Sequence, residues 1–197
     1  MLFDFAIIGF GVIGVETLYG IQKVFQENKN KNKIKIAIIE KNLKNIPGGV
    51  AYSQENSKFG YFNNPLRLSH PDFIKWFNLI DNKKKLFDFS QNNKNYNLNN
   101  WHNNNMFILN KKFKDYKEIY LPRLVYSFYL KDKIIEFLNL KKKMNISLKF
   151  YNGEVGSLNH DNHFNIFSKK LFNEFSLNFT KKNFLLKKNK FKFINTI

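Results

Sequence analysis

A glycine-punctuated turn set between two greasy runs constrains this chain more than any other feature. Phe3-Asp4-Phe5-Ala6-Ile7-Ile8 flows into Gly9-Phe10-Gly11-Val12-Ile13-Gly14, and a second apolar run, Ile36-Ala37-Ile38-Ile39, stops at Glu40. The pattern predicts a strand, a G-x-G-x-x-G turn, a helix, and a second strand ending in an acid. Every glycine here has a physical reason. Gly9 permits a tight turn, Gly11 lets the backbone approach a pyrophosphate, and Gly14 lets the helix pack close to the strand. A helix that opens there aims its first N–H groups and the positive end of its dipole at an anion, worth about 0.3–1 kcal/mol before any side chain contributes. Val12 and Ile13 supply two of those N–H groups. Glu40 follows Gly14 by 26 positions, long enough for one helix and a turn, and with Lys41 it forms the strand tip where a ribose would sit. Its carboxylate can accept both ribose hydroxyls and would repel a 2′-phosphate, so FAD or NAD suits this site better than NADP. Glycines after a strand also serve simply to turn a chain. Here strand, helix, second strand and terminal acid occur together, which is the context a dinucleotide fingerprint requires.

The length, 197 residues, suits one domain, or one with a small appendage, and allows roughly 70% of the unfolded surface to be buried. The formal net charge is +18, which on its own would suggest nucleic acid or an anionic membrane. The lysines are spread along the chain among many asparagines, however, and only two arginines occur. A nucleic-acid site needs its cations concentrated in a stripe, so no specific nucleic-acid partner is expected, only salt-sensitive adhesion to polyanions. The absence of cysteine excludes disulfides, thiolate metal sites and a redox-active Cys pair. His70, His102, His160 and His163 are scattered over polar stretches and read as loop residues; no metal site is expected. The apolar N-terminus lacks a basic n-region and carries Asp4, so it is not read as a signal peptide. No run approaches 18 apolar residues, and the expectation is a cytoplasmic protein without a membrane partner.

Along the chain, Val15, Leu18, Ile21, Val24 and Phe25 predict a helix of about four turns, fading into the polar linker Glu27 to Asn32. A segment rich in glycine, proline and aromatics follows, Ile46-Pro47-Gly48-Gly49-Val50-Ala51-Tyr52-Ser53 and then Tyr61 to Ser69. In Ser69-His70-Pro71-Asp72, a capping hydroxyl, a first-turn proline and an acid predict a short helix that buries Phe73, Trp76, Phe77 and Ile80. Residues 81–112, dominated by Asn and Lys, read as a long loop or small excursion. Leu121-Pro122-Arg123 opens a second long helix with Leu124, Phe128, Ile135 and Leu138 on one face. Lys141-Lys142-Lys143 closes it, as cations complement a helix C-terminus. Ile146–Tyr151, Glu154–Leu158 and Phe164–Phe167 read as short strands, with turns at Asn152-Gly153 and at Asn159 to Asn162. The tail from Lys169 shows no period and is unassigned.

Three segments together resemble the FAD/NAD(P)-binding domain of FAD-dependent urate hydroxylase and asparagine monooxygenase-like proteins. They are the fingerprint Ile7 to Gly14 with Glu40; Gly48-Gly49-Val50-Ala51-Tyr52-Ser53 with Asn63-Asn64-Pro65, Leu68-Ser69 and Phe73-Ile74-Lys75-Trp76-Phe77; and Leu121-Pro122-Arg123-Leu124-Val125-Tyr126-Ser127-Phe128-Tyr129-Leu130. The second is similar to the family's glycine, Ala-Tyr, Leu-Asn-Val-Pro, Met-Ser and Phe-x-x-Trp-Leu features, and the third to its Pro-Arg, Tyr, Tyr-Leu helix start. The match covers residues 1–168. It implies an α/β, Rossmann-like FAD/NAD(P)-binding fold with a central parallel sheet and a small β meander, incomplete at the C-terminus. It further implies a FAD cofactor, NAD(P)H as a candidate reductant, and monooxygenase-like chemistry on a small-molecule substrate. Gly9, Gly11, Val12, Ile13 and Gly14 would cradle the pyrophosphate, Glu40 and Lys41 would lie at the adenosine ribose, and Gly49, Ala51 and Tyr52 would pass near the flavin. From the residues alone, Gly48-Gly49 is equally a turn after the second strand. Arg123 fits a phosphate contact or a structural ion pair. Leu18 stands where the family has a small residue, which would hold helix and sheet apart. The family's strand with an Ala-Thr-Gly-like end, its later Gly-Asp segment and a second glycine fingerprint are not found in this sequence. These departures suggest a truncated member, either completed by a protein partner covering the exposed surface or acting as a non-catalytic nucleotide-binding module.

Overall fold

The computed structural model describes residues 2–27, 33–42, 45–53, 60–141, 143–158, 163–167 and 191–193. The linker at 28–32, Lys142, the turn at 159–162 with His160, and the tail other than 191–193 lie outside the described residues. Although 1–168 reads as one domain by sequence, the chain forms two compact units, Met1–Gly49 with Leu130–Ile197, and Val50–Tyr129. In chain order the α-helices are α1 (Val12–Glu27), α2 (Gly49–Tyr52), α3 (Pro71–Asn78), α4 (Ile80–Gln91), α5 (Tyr96–Asn105), α6 (Phe113–Tyr116) and α7 (Leu124–Leu140).

In the first unit, β1 (Leu2–Phe3) and β2 (Phe5–Ile8) are separated by Asp4, while β3 (Ile34–Glu40) and β4 (Ile146–Asn152) are longer. β2, β3 and β4 form a parallel sheet with β3 in the middle. Ile34, Ile36, Ala37, Ile38 and Ile39 are all buried, the continuous apolar run of a parallel strand covered on both faces. Asp4 interrupts the first strand yet ties it to β3: its N–H donates to Lys35 O at 2.9 Å, and its carboxylate accepts the Lys35 N–H at 2.7 Å. β5 (Glu154–Leu158), β6 (His163–Phe167) and β7 (Phe191–Phe193) run antiparallel in turn, and β7 pairs in parallel with β1. The α/β architecture, parallel sheet and meander match the expected Rossmann-like fold. The tail, opaque as sequence, contributes a strand, with Phe193 opposite Phe3.

The helix α1 has the expected length and buries Val15, Leu18 and Gln22. Val24, expected on that stripe, is exposed. The helix α7 crosses the boundary between units. Of its expected face only Leu124 is buried; in the first unit the buried residues are Leu130, Lys133, Ile134 and Phe137. Apolar residues lie on several sides of α7, so spacing alone does not select a face. A polar seam joins α7 to α1. Lys133 Nζ donates to both Glu16 carboxylate oxygens at 2.8 and 2.9 Å and lies 4.1 Å from the centre of the Tyr19 ring. Gln22 Nε2 donates to Glu136 Oε1 at 3.3 Å. Asn145, at φ 56°, turns the chain from α7 into β4, a left-handed conformation that asparagine tolerates better than most residues.

The second unit is helical, built from α3, α4, α5, a 3-10 turn at Met106–Asn110, α6 and the start of α7. The α3 cap is His70 rather than Ser69; its Nδ1 accepts the Asp72 N–H at 3.2 Å, with Pro71 in the first helical position. Ser69 instead closes the 3-10 turn Leu66–Leu68. Phe73 lies at the centre of a ring cluster, with ring centres 5.0 Å to Tyr126, 5.4 Å to Tyr129, 5.6 Å to Phe62 and 5.9 Å to Trp76. Ile80, expected to be buried with them, opens α4 and is exposed.

Residues 81–112 are mostly helix, not loop. Asparagine is a weak helix former, and the buried apolar residues Leu86, Phe87, Leu98, Trp101 and Ile108 are spread over three short elements, too few in each to sustain a period. Polar groups complete the inward face: Lys83 Nζ donates to Ile108 O and Lys111 O at 3.3 and 3.4 Å, and Ser90 Oγ bonds His102 Nδ1 at 2.8 Å. His102 is therefore a buried helical residue, not a loop residue. No helix among the described residues is long and apolar enough to cross a membrane.

Burial pushes the phenols of Tyr151, in β4, and Tyr116, in α6, up to about 12. A phenol whose folded pKa lies above its unfolded value of about 10 stabilises fully below pH 10, and this contribution is lost as pH rises toward 12. Urea unfolding should show stability falling between pH 10 and 12, by on the order of 2 kcal/mol per phenol. Tyr151→Phe should flatten that slope; an unchanged slope contradicts the assignment.

Candidate dinucleotide site

The site begins where β2 ends. Gly9 adopts φ +84° and donates its N–H to Ile39 O at 2.8 Å, fixing the turn to β3. Val15 N–H donates to Gly11 O at 3.1 Å, the first turn of α1, so the N–H groups of Val12, Ile13 and Gly14 precede the helical ladder and have no partner within it. A Cβ on Gly14 would stand 2.3 Å from Gly9 O and 3.3 Å from Ile7 Cγ2. The helix thus packs hard against the strand end as expected, and Leu18, itself buried, does not hold it away.

Gly11 meets a requirement the sequence does not announce. It forms a parallel bridge with Gly48, and a Cβ on it would lie 3.4 Å from Gly49 Cα. Gly48 and Gly49 take φ 106° and 66°, conformations that L side chains rarely adopt. The two glycine segments therefore meet backbone to backbone.

Glu40 lies beside this turn. Its Oε2 accepts the Phe10 N–H at 2.7 Å and its Oε1 accepts the Asn42 N–H at 2.9 Å. Each carboxylate oxygen offers two acceptor directions, so the group that fastens the loop retains capacity for hydroxyls. Lys41 turns elsewhere, donating from Nζ to Glu154 Oε1 at 2.8 Å. Glu154 is absent from the sequence-derived set because no motif spacing links it to the fingerprint; β5 brings it there through the Asn152-Gly153 turn. Gly9, Gly11, Val12, Ile13, Gly14, Glu40 and Gly49 share the first unit, whereas Ala51 and Tyr52 belong to the second. There Ala51 is exposed, and Tyr52 packs against Tyr126 at 5.3 Å. Arg123 contacts no acid among its described bonds. Its Nε donates to Tyr61 O and its Nη2 to Asn63 Oδ1, both at 2.8 Å, which clamps the 60–63 loop.

A cleft of about 450 Å³ opens over the turn, lined by Ala6 to Gly9, Gly11 to Gly14 and Thr17. Ile13 is 78% exposed at its rim, and no atom lies within 4 Å of where a Gly9 Cβ would stand. Backbone donors, the three glycines Gly9, Gly11 and Gly14 in the lining, and an adjoining carboxylate fit a diphosphate next to a sugar diol.

Two α1 glycines give an internal control. Gly14→Ala should cost at least about 2 kcal/mol by overpacking against backbone, whereas Gly20→Ala, with nothing within 4 Å of its added Cβ, should stabilise by about 0.5–1 kcal/mol. Urea midpoints of the two variants check this; equal shifts would contradict the close packing at Gly14.

A family model described as FAD-NAD(P)-binding matches residues 6–169. No curated protein and no solved structure matches the chain. The matched segment contains the glycine turn, Glu40, the Gly48-Gly49 segment and α7, and it covers most of the 197 residues. The chain belongs to the FAD-NAD(P)-binding family.

Proposed function

We propose that the chain binds FAD at the β2–α1 crossover and serves as an oxidoreductase-family protein, monooxygenase-like in kind, with NAD(P)H as reductant. One observation carries this reading: a helix N-terminus opening on a glycine-rich turn, with the Glu40 carboxylate fastened to that same turn. Gly9, Gly11, Val12, Ile13 and Gly14 would take the diphosphate, and Glu40 the adenosine ribose. Gly49, already against Gly11, would present side-chain-free backbone toward the flavin side, as a large planar group requires. The order of the Ala-Tyr, Asn-Pro, Phe-x-x-Trp and Pro-Arg features supports the monooxygenase-like branch. The lack of cysteine removes disulfide reduction from the choices. When bound, a flavin supplies the redox chemistry, while protein groups bind, orient and exclude water.

Purified protein should be yellow, or become so when reconstituted with FAD, with the flavin's visible absorbance bands. NADH or NADPH with a turnover substrate should bleach them. Protein that stays colourless and does not bind added FAD contradicts the proposal. Binding without reduction by either nucleotide makes the chain a nucleotide-binding module instead.

A further inference from the structure

We propose that Glu154 is a specificity-determining residue of the dinucleotide site: by holding Lys41 away from the ribose end, it keeps that end acidic and selective for a free 2′-hydroxyl. The inference rests on the reading that Glu40 marks the adenosine ribose. One edge of β3 faces the glycine turn, through Gly9 N–H to Ile39 O, and the other pairs with β4. Glu40 leans to the first side, with Oε2 on the Phe10 N–H. Lys41, the next residue, leans to the second, where its Nζ donates to Glu154 Oε1 at 2.8 Å. Glu154 is held at that place by its own neighbour, since Gly153 N–H donates to Glu40 O at 3.0 Å.

Dinucleotide sites that accept a 2′-phosphate set a basic side chain near the position of the ribose-binding acid. Lys41 is the basic residue this sequence places next to that acid. Paired with Glu154 on the β4 side, the Lys41 charge is balanced there, which leaves the Glu40 carboxylate's negative charge uncompensated by Lys41 beside the ribose. A 2′-phosphate would meet repulsion instead of a cation. The pair is about half exposed, at 54% and 46%, so it contributes little to fold stability; its effect lies in where it keeps the lysine. Glu154→Gln keeps the side chain's shape and removes its charge.

Titration calorimetry with ADP-ribose and 2′-phospho-ADP-ribose on the full chain tests this. The wild type should prefer ADP-ribose. Glu154→Gln should narrow that preference by about three- to fivefold, the scale of one ion contact at an exposed site. Adding Lys41→Gln should restore the wild-type ratio. A ratio unchanged in Glu154→Gln overturns the inference, and so does a narrowing that persists without Lys41. If the wild type binds neither ligand, the dinucleotide reading itself fails, and the inference falls with it.

Discussion

A single charge-assisted hydrogen bond, from the Phe10 N–H to Glu40 Oε2 at 2.7 Å, ties together the parts on which the site depends. It runs from the end of one parallel strand to the loop after its neighbour, and it joins Glu40 to the glycine turn from which α1 opens. Hydrogen bonds to charged groups contribute more than neutral ones, about 1.5–3 kcal/mol, and this one holds the loop in place before any ligand arrives. Pre-ordering lowers the entropy that binding must overcome. The Gly9 N–H to Ile39 O bond acts in the same sense from the backbone.

The turn can be so compact because side chains are missing where strand, helix and the second glycine segment converge. Gly14 admits the helix to the strand end, and Gly11 admits Gly48-Gly49 to the turn. Behind them the all-buried run of β3 makes a rigid floor, and the Lys133–Glu16 contact ties α7 to the helix that opens on the cleft. Geometry at the glycine turn is therefore set by packing on three sides.

What the sequence disclosed and what it concealed follow from the range of the signals. The β2–α1–β3 crossover was legible because strand periodicity, glycine spacing and a terminal acid are local, and the structure has Glu40 beside the turn as that pattern demands. Gly11 was legible as a residue that must lack a side chain, but its neighbour Gly48-Gly49 lies far along the chain. Glu154 was invisible for the same reason, since β3–β4 pairing alone brings Asn152 opposite Glu40. The helices of 81–112 were concealed differently. Their inward faces mix Leu86, Phe87, Leu98, Trp101 and Ile108 with Lys83, Ser90 and His102, and the polar members are residues that an apolar period does not count. The tail strand Phe191–Phe193 is defined by its pairing with β1 and β6, which no local pattern encodes.

A backbone amide NMR titration of the full chain with ADP probes the diphosphate cradle most directly. Saturable shifts should concentrate at Gly11, Val12, Ile13 and Gly14, with a companion shift at Asn42, whose N–H shares the Glu40 carboxylate. ADP binding that leaves these amides unmoved, or no saturable binding, would contradict the claim that this crossover receives a diphosphate.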